Sequence, residues 1–282
     1  MNMIAVLALC VIGIVAAVLL FVVAQKFRVE EDPRIDEVEK MLPGANCGGC
    51  GFPGCRGLAD QLVKSDDISS LYCSVGGSDV MKKIADYLGK TAAEKEPMIA
   101  VIRCNGSCDK RPHVNIYNGA PSCKVEAALY GGETGCSYGC LGNGDCVAAC
   151  QFGAIAINPE TQLPEVDEEK CTACGACVAA CPKGIIELRK KGVKGRRIYV
   201  GCMNQDKGAI ARKVCQVACI GCGKCAKNCS FEAITLQNNL AYIDAEKCRL
   251  CRKCVTECPT GSIREVNFPL RKPAEVASQV GA

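Results

Sequence analysis

Residues 169–185 read EKCTACGACVAACPKGI and place four cysteines and a proline within twelve positions. The spacing is C-x2-C-x2-C-x3-C-P, and residues 248–259 repeat it. This run is typical of bacterial ferredoxins, in which three cysteines ligate one iron–sulfur cluster and the fourth ligates the other cluster of a pair. The two runs therefore predict two separate diclusters in one chain.

Disulfides and zinc are the two alternative uses of such crowded cysteines. The chain has 26 cysteines in tight blocks, and a bridge within a block would close too small a loop to stabilise the fold much. A zinc ribbon uses two CxxC pairs, which a three-cysteine block overfills. We therefore expect iron–sulfur clusters, whose binding would also stabilise small modules poor in aromatic residues.

The C-terminal half contains an internal duplication. Residues 165–185 align with 242–262 at an offset of 77, and residues 146–157 align with 225–236 at an offset of 79. Each copy has two cysteine blocks, and each block is followed by an isoleucine. The pattern predicts an α+β fold of tandem ferredoxin-like 2[4Fe–4S] modules. Short helices are expected after the blocks, and short strands around Ile155, Ile186, Ile234 and Ile263.

The cross-ligation rule of ferredoxins assigns ligands to four clusters. One block of the first module is stretched, with three residues and then five between its first cysteines. The predicted sets are Cys136, Cys140, Cys146 and Cys181; Cys171, Cys174, Cys177 and Cys150; Cys219, Cys222, Cys225 and Cys258; and Cys248, Cys251, Cys254 and Cys229.

A different cysteine pattern lies upstream, in NCGGCGFPGC. Cys47, Cys50, Cys55 and Cys73 have the spacing C-x2-C-x4-C-x17-C, which supplies four local ligands for a single [4Fe–4S] cluster. Residues 49–54 also match GxGxxG. No predicted strand precedes this match, so we do not interpret it as a dinucleotide site.

Five further cysteines outside the N-terminal apolar run are not used by these five sets: Cys104, Cys108, Cys123, Cys202 and Cys215. A sixth cluster on Cys104, Cys123, Cys202 and Cys215 would leave Cys108 free, although Cys108 could replace one of them. Alternatively, several of the five are plain buried thiols. The sequence thus predicts five to six [4Fe–4S] clusters per chain.

The N-terminus carries a candidate membrane segment. Residues 4–24 are uncharged and mostly apolar, and a helix of this length spans about 30 Å, the thickness of a bilayer core. A cleaved signal peptide fits less well, since no basic segment precedes the run. Lys26 and Arg28 follow it, so the positive-inside rule places the iron–sulfur domains on the cytoplasmic side of the inner membrane.

These features give an expected domain order. The predicted boundaries are a transmembrane anchor at 1–26, a single-cluster domain at 27–90, a linker with extra cysteines at 91–130, a first dicluster at 131–190, a basic connector at 191–213, a second dicluster at 214–265 and a tail at 266–282.

Charge offers little support for nucleic-acid binding. The formal net charge is +4, but six oxidised clusters on four thiolates each would add roughly −12. Residues 189–197 carry six basic side chains, which form either a solvated hairpin loop or a docking patch for an acidic electron carrier. His113 is the single histidine, and we expect a solvent-facing or hydrogen-bonded role for it rather than metal ligation.

The order of these parts resembles the B subunit of the Rnf complex, the ion-translocating ferredoxin:NAD⁺ oxidoreductase. The phrases NCGGCGFPGC, GCSYGCLGNGDCVAAC and CIGCGKCAKNC carry the resemblance, which covers nearly the whole chain. Two departures are Ser74, where the family often has proline, and the additional thiol of Cys108.

The resemblance implies a membrane-anchored electron-transfer subunit without a catalytic site of its own. It would accept electrons from reduced ferredoxin and pass them to polytopic membrane subunits, while a flavin- and NAD-binding subunit completes the reaction. Two alternatives are an electron-donating subunit of another membrane reductase and an anchored iron–sulfur redox sensor.

Overall fold

The computed structural model describes residues 3–26, 32–92 and 94–269. Helix α1, Met3–Lys26, covers the apolar run of the sequence. Within the described ranges, no helix meets the combination of length and apolarity needed to cross a membrane, so the anchor stays a prediction. Residues 270–282 of the predicted tail lie outside the described part of the chain.

Three helices form an N-terminal module between residues 32 and 92. They are α2 (Arg34–Met41), α3 (Gly54–Lys64) and α4 (Gly77–Leu88). Helix α2 ends just before Pro43, where the proline ring disfavours helical backbone in the preceding residue. Apolar positions three and four residues apart on each helix bury one common core.

Lys90 joins the end of this module to helix α3. Its Nζ donates hydrogen bonds to the carbonyl oxygens of Leu62, Val63 and Ser65 at 2.8, 2.9 and 2.7 Å. The last carbonyls of a helix lack partners within the helix, and a positive charge at this end also interacts favourably with the helix dipole. One side chain therefore caps α3.

The rest of the chain consists of two similar dicluster modules. In each module, the first and last strands along the chain form one antiparallel pair, and the two strands between them form another. Short helices lie inside the cysteine blocks. The strands are β1 (Met98–Ile102), β2 (Ile155–Ile157), β3 (Pro164–Val166), β4 (Ile186–Lys190), β5 (Arg197–Val200), β6 (Ile234–Gln237), β7 (Leu240–Ile243) and β8 (Ile263–Val266). The helices are α5 (Cys123–Leu129), α6 (Asp145–Ala148), α7 (Ala176–Ala180), α8 (Gly208–Val214), α9 (Lys224–Lys227) and α10 (Lys253–Thr256).

The strands expected at the four isoleucines are confirmed, since β2, β4, β6 and β8 each begin at one of them. Four short helices lie earlier than expected, because α6, α7, α9 and α10 each include the third cysteine of a block. Strand β1 pairs with β4 and β5 pairs with β8. The structure thus assigns segments expected in the linker and the basic connector to the two modules.

The two modules meet along β1 and β5. Ile99, Val101 and Tyr199 form a shared buried cluster. Beyond the strands, the backbone N–H of Asn105 donates to the carbonyl of Gly201 at 2.9 Å. This contact brings the segments that follow β1 and β5 side by side, and each of them carries a cysteine two residues after its strand.

Candidate metal centres

The cysteine loops are shaped by left-handed backbone. The residue before the second cysteine of each C-x2-C-x2-C block has positive φ: 54° at Ala173, 65° at Gly221 and 56° at Leu250. This conformation is costly for residues with a β-carbon. Alternating right- and left-handed residues turn successive N–H groups toward one side, which forms a concavity for negative charge. Glycine adopts this conformation without strain in one block, whereas Ala173 and Leu250 adopt it at a cost in the other two.

Sites 4 and 5 have the cysteines that the spacing predicts. One cavity is lined by Cys219, Cys222, Cys225 and Cys258, which we call site 4. Another is lined by Cys229, Cys248, Cys251 and Cys254, which we call site 5. Burial raises the pKa of Cys225 to about 11 and that of Cys254 to about 12, and neighbouring thiols of the same sites add to both increases.

The set predicted for site 3 is Cys150, Cys171, Cys174 and Cys177. Burial raises the pKa of Cys177 to about 12, and the other three thiols contribute to the increase together with Cys146. The backbone N–H of Ala154 donates to Cys150 Sγ at 3.3 Å, and that of Ser262 donates to Cys258 Sγ at 3.3 Å. The two modules therefore repeat the same N–H···S contact at their cross-ligating cysteines.

The set predicted for site 1 is Cys47, Cys50, Cys55 and Cys73 in the N-terminal module. Burial raises the pKa of Cys73, and Cys55 and Cys50 lie close enough to add to the increase. The N–H of Gly76 donates to Cys73 Sγ at 3.3 Å. The N–H of Cys55 donates to Asn46 Oδ1 at 2.7 Å, which fixes the loop at the start of α3.

Site 2 departs from the predicted set. Its cavity is lined by Cys123, Cys140, Cys146 and Cys181, so Cys123 takes the place predicted for Cys136. The reason is Asp145, whose carboxylate accepts hydrogen bonds from the N–H groups of Cys123 and Lys124 at 3.0 and 2.9 Å. This carboxylate caps α5 and fixes Cys123 beside Cys146, the next residue in the chain after Asp145.

Site 6 contains Cys136, the cysteine that Cys123 replaces in site 2. Its cavity is lined by Cys104, Cys136, Cys202 and Cys215, with Cys136 in place of Cys123. Asn204 is 1% exposed and donates from Nδ2 to Cys136 Sγ at 3.5 Å and from its backbone N–H to Cys202 Sγ at 3.4 Å. Asn204 thus bridges two cysteines that are 66 residues apart in the sequence.

Cys108 lies apart from these sites, and its thiol donates to the carbonyl of Glu160 at 3.1 Å. His113 pairs with Glu133, with 3.0 Å between Nδ1 and Oε2. The basic segment of residues 189–197 is largely engaged within the protein. Arg189 pairs with Glu187, Arg197 with Glu168, and Lys190 with Glu96 and Glu246.

The donor chemistry of the six sites suits iron–sulfur clusters, because each site offers four thiols and clusters of this type are held by four cysteine thiolates. All cysteines of the sites are free. These sites concern a multi-iron cluster: within the described part of the chain, no group of three or more His, Cys, Asp or Glu side chains could hold a single metal ion. Because burial raises the pKa of several thiols, cluster binding must release their protons.

Asp145 and Asn204 were not singled out by sequence reasoning. Asp145 is the first residue of α6, where an acidic side chain interacts favourably with the dipole of its own helix, but its carboxylate caps a helix that begins 22 residues earlier in the chain. Nothing in the sequence around Asn204 distinguishes it from a surface asparagine.

Comparisons with known proteins agree with this architecture. The family described as "Putative Fe-S cluster" matches residues 42–69, and the family described as "4Fe-4S dicluster domain" matches residues 136–207 and 218–262. Both dicluster modules and the loop of site 1 therefore match iron–sulfur domains.

Three relatives match almost the whole chain. The B subunit of the Na(+)-translocating ferredoxin:NAD(+) oxidoreductase complex of Acetobacterium woodii is 44% identical over 253 residues, which cover 90% of this chain and 74% of the relative. The B subunit of the ion-translocating oxidoreductase complex of Methanosarcina acetivorans is 43% identical over 263 residues, covering 93% and 97%. The B subunit of the proton-translocating ferredoxin:NAD(+) oxidoreductase complex of Clostridium ljungdahlii is 40% identical over 258 residues, covering 91% and 89%.

Identity at this level over most of the length of both chains, together with three matching iron–sulfur segments, establishes that this chain belongs to the family of B subunits of ion-translocating oxidoreductase complexes.

Proposed function

We propose that this chain is the membrane-anchored electron-transfer subunit of an ion-translocating ferredoxin:NAD⁺ oxidoreductase, and that it holds six [4Fe–4S] clusters in sites 1 to 6. Two of the relatives are named as ferredoxin:NAD(+) oxidoreductase subunits. Their names differ in the translocated ion, so the proposal names none. A bound cluster supplies a site that takes up and releases one electron, and the protein fixes the order of these sites.

The observation that carries the proposal is the continuity of the six sites. Within the second module, Cys225 of site 4 lies close enough to Cys254 of site 5 to contribute to the raised pKa of the Cys254 thiol. From site 4, Cys219 lies beside Cys202 of site 6, where its backbone offsets part of the burial-driven increase in the pKa of the Cys202 thiol. Site 6 therefore neighbours the second module directly.

The series continues through the first module to the N-terminal one. Cys104 of site 6 lies within electrostatic range of Cys140 of site 2. Cys146 of site 2 is similarly placed relative to Cys177 of site 3. Cys50 of site 1 and Cys171 of site 3 line one common cleft. The resulting order is 5, 4, 6, 2, 3, 1, in which site 6 joins the two modules.

We assign electron entry to the second module. Cys222 and Cys251 are the exposed cysteines among the described members of the six sites. Exposed cations flank them in the sequence and have no ion-pair partner in the described ranges: Lys224, Lys227, Lys247, Arg249 and Lys253. These five outnumber the exposed Glu232, Glu246 and Glu257 of the same stretches. This basic face would attract an acidic ferredoxin and orient it toward sites 4 and 5.

The opposite end of the series faces the membrane partners in this proposal. Site 1 lies nearest in sequence to the apolar run of residues 4–24, which we propose as a single-pass anchor in the inner membrane, with the clusters on the cytoplasmic side. Cys50→Ala should stop electron delivery to the membrane subunits, while ferredoxin still reduces the diclusters. Wild-type throughput of that variant in the complete complex would refute site 1 as the exit.

The series itself is tested by interrupting it at site 6. In Cys136→Ala, reduced ferredoxin should still reduce sites 4 and 5, while sites 1 to 3 stay oxidised over the time in which the wild type is fully reduced. Freeze-quench EPR of the full chain measures this difference. Cys108→Ala is the matched control and should behave as the wild type. Complete reduction of Cys136→Ala at the wild-type rate would overturn the proposed order.

The basic face is tested separately. Arg249→Glu/Lys253→Glu should lower the second-order rate constant for reduction by ferredoxin by about tenfold or more at low ionic strength, because the attraction becomes a repulsion. Reduction by dithionite, a small chemical reductant, should not change in the same way. Lys64→Glu/Lys83→Glu alters two exposed cations of the N-terminal module and serves as the control. Equal rate constants for the two double variants would exclude this face as the docking surface.

A further inference from the structure

Arg111 is a buried cation that no carboxylate neutralises. It is 7% exposed, and it forms no ion pair within residues 32–92 and 94–269. Its Nη1 donates to Thr134 Oγ1 at 3.1 Å, whereas its Nε is buried without any hydrogen-bond partner. An uncompensated buried charge costs several kcal/mol, about as much as a protein loses when one partner of a buried ion pair is removed. Its burial therefore requires a source of negative charge.

The guanidinium lies between two of the four-cysteine sites. Arg111 lines the cavity of site 6, and its charge reaches both Cys215 of site 6 and Cys140 of site 2. A β-carbon on Gly139 would stand 2.2 Å from Arg111 Nη1, so the chain leaves room for the guanidinium there. Gly106 is similarly confined, because its β-carbon would lie 3.1 Å from Cys215 Sγ and 3.4 Å from Arg111 Cβ.

Arg103 lines the same cavity but differs in its partners. Its guanidinium pairs with Glu187 at 3.3 Å and donates to the carbonyl oxygens of Val200 and Cys202 at 3.4 and 3.5 Å. Protein groups therefore already compensate the charge of Arg103. Among the residues lining site 6, Arg111 is the cation whose charge is free to act on the thiolates.

We propose that Arg111 is the counter-cation of site 6, shared with site 2, and that it raises the reduction potential of the cluster held there. Four thiolates and an oxidised [4Fe–4S] core carry a net charge of about −2, and uptake of one electron makes it about −3. A fixed positive charge stabilises the reduced state more than the oxidised state. The electron arrives from site 4, and no proton transfer is required for the charge to balance.

This role rests on the proposed function, since it requires a cluster in site 6. It goes further by assigning a positioning residue to the junction between the two modules. The potential of the linking site sets how readily electrons pass from the second module into the first. Arg111 would therefore adjust the driving force at the one step where the modules exchange electrons.

EPR-monitored redox titration of the full chain tests this role, with the signal of site 6 identified as the one that Cys136→Ala removes. Arg111→Gln should keep the iron content but move the midpoint of that signal to a lower potential. Arg111→Lys should retain most of the wild-type potential. Arg212→Gln, which removes an exposed cation on α8, is the control and should leave the midpoint unchanged.

Each outcome decides the question. A wild-type midpoint in Arg111→Gln with full iron content would overturn the role of Arg111 alone. Absence of the site 6 signal from the wild type would overturn both the cluster assignment and this inference. If Arg111→Gln loses the cluster, retention of the cluster at the wild-type potential in Arg111→Lys supports the charge. Loss of the cluster from both Arg111→Gln and Arg111→Lys would show that the side chain acts through packing, and would refute a role for its charge.

Discussion

Gly49 lies so close to Cys174 that a β-carbon on Gly49 would stand 2.4 Å from the carbonyl oxygen of Cys174 and 3.0 Å from its Cα. Gly49 belongs to the loop of site 1, and Cys174 belongs to site 3. The φ angle of Gly49 is not in the left-handed region, so the requirement for glycine here is one of space. The contact joins the N-terminal module to the first dicluster module at their cysteine loops.

Gly49→Ala should separate these two loops. Overpacking of this kind typically costs about 1–3 kcal/mol, and the neighbouring atoms are backbone that cannot rotate away. In this variant we expect site 1 to be reduced more slowly than in the wild type, while site 3 is reduced at the wild-type rate and the total iron content is unchanged. Freeze-quench EPR measures both rates. Gly131→Ala is the control, since no atom lies within 4 Å of the place that a β-carbon would occupy there and its φ is not positive. Equal rates in the two variants would show that the contact does not serve electron transfer.

Asp145→Ala should loosen site 2 while leaving site 6 intact. The carboxylate holds Ser122, Cys123 and Lys124, and each hydrogen bond to a charged group contributes about 1.5–3 kcal/mol. Cluster loss to an iron chelator should therefore become faster for one cluster per chain. Asp66→Ala removes an exposed carboxylate without such contacts and should match the wild type. Preferential loss of the site 6 signal would instead favour the ligand sets predicted from spacing.

Lys90→Met should destabilise the N-terminal module. The substitution keeps much of the aliphatic length but removes three hydrogen bonds to the C-terminal carbonyls of α3. A loss of about 1–3 kcal/mol is expected, since these carbonyls are partly buried. Native-state hydrogen exchange of α3 measures this locally. Lys83→Met, at an exposed position of α4, should leave exchange in α3 unchanged, and the idea fails if the two variants are equal.

Electron uptake from ferredoxin should depend on salt. Exposed charges more than about 10 Å apart are screened at roughly 0.1 M ionic strength. The second-order rate constant should therefore fall steeply as salt rises, whereas transfer between the buried sites should not change. Stopped-flow reduction at several salt concentrations separates the two steps. A rate constant independent of salt would contradict docking through charge.

Where four members come from two ordinary ferredoxin blocks, as in sites 4 and 5, the cysteines grouped by spacing line one cavity. In the cavities of sites 2 and 6, Cys123 and Cys136 are exchanged relative to the predicted sets, because the stretched block does not show which of its neighbours joins it. That choice depends on hydrogen bonds from Asp145 and Asn204, which act across 22 and 68 residues. Contacts of this kind follow from the packed fold and not from local spacing.

The basic segment of residues 189–197 is a second feature whose role depends on the packed fold. Six cations in nine residues suggested either a solvated hairpin loop or a docking patch, but Arg189 and Arg197 are buried beside carboxylates, so their charge is used inside the protein. The cations that remain available are spread over two cysteine blocks, so no single stretch of sequence reveals them. Strands β1 and β5 were likewise separated from their partners by long insertions.

The composition of site 6 has a consequence for how the chain matures. Cys104 follows β1, whereas Cys202 follows β5, whose partner β8 is the last strand of the described chain. Synthesis therefore finishes the upstream module well before the junction can be assembled. A polypeptide that ends before β8 lacks the partner of β5, the strand that leads into Cys202. We therefore expect site 6 to form late, after the cysteines of the upstream module have been synthesised and folded.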